Sequence, residues 1–346
     1  MKYRYLGSSG LLMSRITLGT MTFGAEAWGC DEKTAHQIMK TYVDAGGNSI
    51  DCGDVYAGGR SEEIIGTFLP QVDRDELIIA TKYSLPKKGG PTGFGASRKT
   101  VMKACEASLK RLGTDHIDLY YLHVPDPVTP YEEILGALDD LVRQGKVRYV
   151  GSSSLFGWQV AKARGVSDRL NLPRMVAGQY IYSLIHRELE REILPAAIDS
   201  GMGITCFSPL GGGVLTGKYK KRERPEGSRA AYRTGVDGPR FWHERGFQVA
   251  DVVEKVSKES GISIPELAIS WPLGRRVVSS VIIGVKNLEQ LNANLVPADR
   301  DLPEDVWASL EEQTRPAEEY MTWYNKFNYQ RFFDASEFHN SDVELI

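Results

Sequence analysis

Short apolar runs alternate with amphipathic helical stripes about eight times along this chain, and no other feature restricts its fold as much. Residues 31–46 place Ala35, Ile38, Met39, Tyr42 and Val43 at i, i+3, i+4, i+7 and i+8, one face of a helix. Asp31 precedes that stripe as a candidate N-cap, and Gly46-Gly47 ends it. A second helix at about 61–69 leads to the apolar run 77–82. A third, at 99–112, leads to the run Ile117 to His123, and a fourth is read at 131–144. Strand-like runs follow at 147–152, 175–179, 204–208 and 279–284. Strands that alternate with helices imply a parallel sheet, and right-handed crossovers leave an open doubly wound sheet or a closed barrel. Eight repeats without a half-way break favour the barrel. The expected class is therefore α/β, a (β/α)8 TIM barrel, which needs roughly 250 residues.

With 346 residues the chain has room for additions. We expect one domain over 1–346: an N-terminal β-hairpin, a barrel at about 15–298, and a C-terminal helix and tail at about 302–346. Two regions break the rhythm. Residues 219–247 are polar, with eight Lys or Arg against four acids, and read as a solvated loop or as a flap over an anionic ligand. Residues 316–346 carry Tyr320, Trp323, Tyr324, Phe327, Tyr329, Phe332 and Phe333, too aromatic for a plain disordered end. That tail is expected to pack on the barrel wall, line a pocket or pair with a second subunit.

Composition removes several function classes. Formal charge is −3, with no basic excess to bind nucleic acid. No run of 18 apolar residues suggests a membrane span, and the N-terminus shows no secretory pattern. Cys30, Cys52, Cys105 and Cys206 are scattered without a CxxC, so reduced thiols and a cytoplasmic location are expected, with no metal site. Gly212 to Lys218 matches the spacing GxxxxGK, but Tyr219 follows where a P-loop needs Ser or Thr for Mg²⁺. The late Gly211-Gly212-Gly213 run does not fit a Rossmann fingerprint either.

In a barrel, reactive residues come from the C-terminal ends of strands. The residues after the apolar runs here are Gly19-Thr20-Met21, Asp51, Lys82, His123, Ser152-Ser153-Ser154, Gln179, Phe207-Ser208-Pro209 and Gly284-Val285-Lys286. Asp, Lys and His thus converge from three consecutive strands, and Tyr56 lies five residues beyond Asp51. This set suits proton transfer to a carbonyl oxygen. A neighbouring ammonium is expected to lower the tyrosine pKa from about 10 toward the working range. Asp51 would hold Lys82 charged, and a neutral His123 would orient the carbonyl. No side chain supplies a reductant, so a hydride carrier has to be bound.

The stretch Asn48 to Glu62 resembles the signature of the aldo-keto reductases. Ala80-Thr81-Lys82, Ile117 to His123, Gly145 to Gly151, Ser208 to Tyr219 and Lys286-x-x-x-Gln290-x-x-x-Asn294 are similar to further motifs of that family. The likeness covers roughly residues 2–315 and is closest to the branch of potassium-channel β subunits and their bacterial relatives. It implies a barrel that holds an extended NADPH/NADP⁺ at the strand ends, with NADH possible, and the tetrad Asp51, Tyr56, Lys82 and His123 with Tyr56 as general acid. It implies that Gln179, Ser153 and Ser154 hold the carboxamide and that Phe207 stacks on the nicotinamide. Gly19, Thr20, Met21 and Asp51 would border the same cofactor. Ser208, Leu210, Gly213 and Lys218 would line the pyrophosphate path, and Gly284, Lys286, Gln290 and Asn294 the adenosine end. Phe23 and Trp28, with Tyr56 and His123, are candidate substrate contacts. Three departures stand out: Cys52-Gly53 where Thr-Ala is usual, Ser154 where Asn is usual, and Phe207 for a common Tyr.

The resulting expectation is an NADPH-dependent reductase of an aldehyde or ketone, reversible toward the alcohol, whose partner is that small carbonyl or alcohol substrate. Two alternatives stay open: a redox-sensing nicotinamide-binding partner subunit, and a lyase or epimerase of keto-sugars with internally held nicotinamide. Whether the protein is a monomer or a homo-oligomer is also open.

Overall fold

A computed structural model describes residues 1–86, 93–219, 223–226 and 228–332, with backbone alone at 326 and 329–332. An antiparallel hairpin, β1 (Tyr3–Tyr5) and β2 (Leu12–Ser14), opens the chain. Eight parallel strands follow: β3 (Ile16–Gly19), β4 (Ser49–Asp51), β5 (Ile78–Tyr83), β6 (Ile117–Leu122), β7 (Val147–Ser153), β8 (Ala177–Ile181), β9 (Gly203–Phe207) and β10 (Val278–Gly284). They pair in chain order, and β10 pairs with both β9 and β3, which closes the barrel. The expected α/β TIM barrel with its N-terminal hairpin is the observed fold.

Six helices alternate with the first strands: α1 (Glu32–Asp44), α2 (Arg60–Phe68), α3 (Arg98–Leu112), α4 (Tyr131–Arg143), α5 (Gly157–Leu170) and α6 (Leu189–Ser200). Local chemistry sets their ends. Asp31 accepts from the Thr34 N–H at the start of α1, and Ser97 from the Thr100 N–H at the start of α3. Gly113 ends α3 at φ 62°, where glycine avoids the Cβ clash.

Strand alternation sorts the side chains into two cores. Ile50, Ile79, Tyr83, Tyr120 and Leu122 face the helices. Ile78, Ala80, Leu119, Tyr121 and Ala177 face the lumen, where Leu6 and Met13 of the hairpin plug the lower end. A period of two therefore carries Lys82 and His123 to the lumen side, two residues above Ala80 and Tyr121. Hydroxyl groups join neighbouring strands lower down, with Thr17 Oγ1 lying 2.6 Å from Ser49 Oγ and 2.7 Å from Ser280 Oγ.

The described residues of the segment 219–247 hold more helix than its polarity suggests. It contains α7 (Arg229–Tyr232), α8 (Thr234–Phe241) and the start of α9 (Glu244–Ser260). Asp237, 1% exposed, pairs with Arg229 at 2.6 Å and Arg233 at 3.5 Å, so part of the positive charge is neutralised internally. Then α10 (Ile264–Leu273), α11 (Leu288–Leu295) and α12 (Glu304–Gln313) complete the shell.

The tail forms α13 (Tyr320–Phe332). Tyr320, Trp323, Tyr324 and Phe327 are exposed and stack on one another, with Tyr320 and Tyr324 at 5.5 Å and Trp323 and Phe327 at 5.5 Å. Phe333 and the side chains of Tyr329 and Phe332 lie outside the described residues. Among the described residues no helix is long and apolar enough to cross a membrane.

Candidate active site

Lys82 is the centre of the site. Its Nζ, fully buried, donates to Asp51 Oδ1 at 2.5 Å, to the Cys52 carbonyl at 2.6 Å and to the Tyr56 hydroxyl at 3.1 Å. These three acceptors match the three protons of an ammonium. Asp51 ends β4, and its second oxygen accepts from Gln179 Nε2 at 2.7 Å. Tyr56 starts a turn in which Ala57, Gly58 and Gly59 have φ of 48°, 68° and 101°. That left-handed run swings the chain from the strand end into α2 and leaves the phenol over the barrel mouth. Gly53 lies beneath the ring; a Cβ there would sit 3.2 Å from Tyr56 Cζ. His123 meets Tyr56 edge-on, with ring centroids 5.9 Å apart at 80°.

The electrostatics follow from burial and charge. Burial works against the Lys82 charge, but Asp51 and Tyr56 outweigh it and hold the ammonium above the ordinary lysine range. Burial also raises the Tyr56 pKa, and Lys82 opposes that rise without reversing it. The expectation of a lowered tyrosine pKa is thus corrected: desolvation of the phenolate exceeds the help from the ammonium. Tyr56 keeps its proton at neutral pH. Burial, aided by the Lys82 charge, lowers His123 to about 3, so this imidazole is neutral.

The His123 shift has a consequence for stability. An unfolded histidine takes up a proton near pH 6.5. The folded one resists until about pH 3. The contribution is therefore complete above pH 6.5 and is lost progressively as pH falls toward 3. His123→Gln is expected to remove about 3 kcal/mol of this acid sensitivity between pH 7 and pH 4. Denaturant melts at pH 7 and pH 4 check it, since the variant should lose less stability between them than the parent.

A cavity of about 1350 Å³ runs from this cluster across the strand ends. That exceeds the ~300–1000 Å³ of a drug-sized pocket and leaves room for a dinucleotide beside a small substrate. Tyr56, Asp51 and His123 form its deep wall, whereas Lys82 lies beneath it. Gly19, Thr20 and Met21 border it from β3, and Ser153, Ser154 and Gln179 from β7 and β8. Phe207, Ser208, Leu210, Gly213 and Lys218 continue the wall after β9. Gly284, Lys286, Gln290 and Asn294 close the far end around α11. Trp28 lines the cavity too. Phe23 does not: its loop folds back, the Phe23 N–H meeting the Thr20 carbonyl, and the ring turns into the core with no exposure.

Sequence reasoning missed other wall residues. Val55, Leu85 and Val124 border the tetrad end, and Arg229, Arg233 and Arg240 come from the 219–247 segment. Arg229 and Arg233 lie over the Trp28 ring at 5.8 and 5.5 Å, so the segment spans the cleft to the loop after β3. The only signal was the surplus of arginine, which gives no direction.

The residues present fit a nicotinamide dinucleotide. Gly211, Gly212 and Gly213 all have positive φ, 54°, 62° and 100°. A Cβ on Gly213 would stand 2.9 Å from Lys218 Cε, and one on Gly212 2.7 Å from Phe241 Cδ2. Such a bare, curled backbone beside a lysine suits an anionic diphosphate. Farther along, α11 presents its N-terminus, where Asn287 accepts from the Gln290 N–H and Gln290 Oε1 accepts from the Lys286 N–H. Ser154 and Ser208 sit at φ 60° and 58°, left-handed positions after their strands. Asn tolerates that conformation better than Ser, so Ser154 carries strain that the usual Asn would ease.

Comparison with known proteins agrees with this geometry. The model of the Aldo/keto reductase family matches residues 15–315. The chain is 36% identical over 330 residues to the uncharacterized oxidoreductase YrpG of Bacillus subtilis (strain 168), covering 90% of this chain and 95% of that one. It is 37% identical over 309 residues to a probable voltage-gated potassium channel subunit beta of Arabidopsis thaliana, covering 86% and 92%. It is also similar to the versiconal hemiacetal acetate reductase of Aspergillus parasiticus, 30% identical over 344 residues, covering 91% and 98%. The chain therefore belongs to the aldo/keto reductase family and is an NAD(P)-dependent oxidoreductase acting on CH–OH and C=O groups.

Proposed function

We propose that the protein is an NADPH-dependent reductase of aldehydes or ketones, reversible toward alcohol oxidation, with Tyr56 as the proton donor. One observation carries the reading: the Tyr56 hydroxyl lies 3.1 Å from a buried lysine ammonium, beside a neutral histidine, at the wall of a cavity sized for a dinucleotide. NADPH, when bound, supplies the hydride that the side chains lack. Gln179, Ser153 and Ser154 would hold its carboxamide and Phe207 its ring face. Thr20 and Met21 would border it. The glycine cradle and Lys218 would hold the diphosphate, and Lys286, Gln290 and Asn294 the adenosine end.

The chain's own groups then act on the carbonyl. His123 donates a hydrogen bond to the carbonyl oxygen and sets its approach to Tyr56. Tyr56 gives its proton to that oxygen as negative charge develops. Lys82 stabilises the phenolate left behind, and Asp51 keeps Lys82 charged and in place. In the alcohol direction the same groups run backward, with the phenolate as base. The segment 228–241, clasped over Trp28, would exclude water and limit release.

Loss of NADPH absorbance against a panel of simple aldehydes, bulky cyclic ketones and keto-sugars tests this. A substrate turned over with one NADPH consumed per alcohol formed supports it; NADPH bound but never consumed with any of them would count against it. Lys286→Ala should weaken NADPH about tenfold more than NADH, the loss of a charged contact to the 2′-phosphate. Equal weakening in direct binding measurements would mean that the phosphate is held elsewhere.

The likeness to a channel β subunit favours a second reading, a redox-sensing partner subunit. Such a subunit would bind NADPH but reduce carbonyls slowly and with little preference, so the same panel separates the two.

A further inference from the structure

We propose that Glu62, which does not reach the cleft, is a positioning residue for the proton donor: its buried carboxylate ties the helix that follows Tyr56 to Thr81, the strand residue beside Lys82, and to Arg111, which braces the same turn. The proposal rests on the functional reading above.

Tyr56 and Lys82 belong to different elements, so something has to fix the phenol over the ammonium. The turn after Tyr56 cannot do so alone. Two of the three residues that follow it, Gly58 and Gly59, are glycines, which restrain the backbone least. The height of the phenol is therefore set by where α2 begins. Ile64, Ile65 and Phe68 hold that helix against the barrel, but apolar contact is non-directional and does not stop a helix from sliding.

Glu62 supplies the direction. It is fully buried, and Oε1 accepts from Thr81 Oγ1 at 2.6 Å while Oε2 accepts from Arg111 Nε at 2.7 Å. Thr81 precedes Lys82 on β5, and strand alternation turns it toward α2 while Lys82 enters the lumen. Arg111, on α3, reaches the other way. A Cβ on Gly59 would fall 3.0 Å from Arg111 Cδ, so the arginine stem packs against the last residue of the Tyr56 turn. One carboxylate thus joins β5, α3 and the first turn of α2. Beside it, Ser61 Oγ donates to the Thr20 carbonyl at 2.9 Å, and Thr20 Oγ1 donates to the Asp51 carbonyl at 3.0 Å. Because β4 lies between β3 and β5, two adjacent residues of α2 are fastened on both sides of the strand that ends in Asp51. An unpaired carboxylate is costly to bury, and α2 already has apolar residues for packing, so packing alone gives no reason for an acid here.

Three variants separate direction from charge and fold. Thr81→Val keeps the shape and removes one bond. Glu62→Met fills the space and removes both. Glu62→Gln can keep both, its oxygen accepting from Arg111 and its nitrogen donating to Thr81 Oγ1. For each, kcat, KM for the carbonyl substrate and the NADPH dissociation constant are read. Glu62→Met should lower kcat roughly thirtyfold and Thr81→Val roughly fivefold, the scale of a sub-ångström misplacement, with KM and NADPH affinity within about twofold of the parent. Glu62→Gln should recover most of the lost rate. In a Tyr56→Phe background Thr81→Val should lower the residual rate no further, because the donor it positions is gone. A folded Thr81→Val with parental kcat overturns the proposal. So does an equal loss in the Tyr56→Phe background, which marks a general structural role, and so does Glu62→Gln as impaired as Glu62→Met. If Glu62→Met does not fold, Thr81→Val decides alone. If Tyr56→Phe itself retains turnover, the functional reading has failed, and crystals of parent and Thr81→Val decide the positioning, since the Tyr56 hydroxyl to Lys82 Nζ distance does not depend on turnover. A bond kept in the parent and lost in Thr81→Val supports the proposal; a bond kept in both overturns it.

Discussion

Tyr56→Phe is expected to lower kcat by a factor of order 10² or more, the scale for a lost general acid, while NADPH affinity stays within about twofold. The phenyl ring would still lie over Gly53 and edge-on to His123, so the cavity keeps its shape. Only the hydroxyl is gone. Lys82 loses its longest contact and keeps Asp51 and the Cys52 carbonyl at 2.5 and 2.6 Å. Among the described residues no other hydroxyl lies within hydrogen-bonding distance of the ammonium. Steady-state rates and a fluorescence titration check the two halves separately. Near-parental turnover would show that the proton comes from elsewhere.

Asp51→Asn should have the largest effect on stability. Among the described residues, it removes the one carboxylate bonded to the Lys82 ammonium, which water does not reach. Breaking one partner of a buried pair costs about 3–5 kcal/mol. For a chain of this size that is roughly 5 °C in melting temperature. The pH dependence should also change sign. In the parent, Lys82 is held above the ordinary range, so its contribution is complete below the unfolded lysine value of about 10.4 and fades as pH rises past it. In the variant the lone buried ammonium prefers to lose its proton, so its folded pKa falls below the unfolded one. Stability then rises with pH toward about 10. Thermal melts between pH 7 and 10.5 distinguish the two slopes, and parallel curves would mean that Lys82 is not the charge that matters.

The barrel was legible in the sequence because its signal is periodic. Stripes such as Ala35, Ile38, Met39 and Tyr42 fix a helix and its buried face, and the observed α1 buries those four residues. The ends of consecutive apolar runs put Asp51, Lys82 and His123 at one rim. What escaped depended on chain direction in loops. Phe23 and Trp28 sit five residues apart in one loop, yet one enters the core and the other the cavity, because turn hydrogen bonds decide their aim. The helices α7 and α8 are too short to show a stripe, and the burial of Asp237 between Arg229 and Arg233 is not readable from their spacing. The Tyr56 pKa departs from the sequence expectation for a related reason: a neighbouring charge can be inferred from spacing, but the extent of burial that opposes it cannot. On α13 the aromatics suggested a packed surface, and nothing local said that Tyr320 would stack on Tyr324 and Trp323 on Phe327.

The most direct test of the account is isotopic. With NADPH carrying deuterium at both C4 positions of the nicotinamide and an aryl aldehyde as substrate, the account predicts alcohol bearing one deuterium on the carbinol carbon, at a rate that Tyr56→Phe suppresses. Alcohol without that label, or labelled alcohol formed equally fast by Tyr56→Phe, would contradict it.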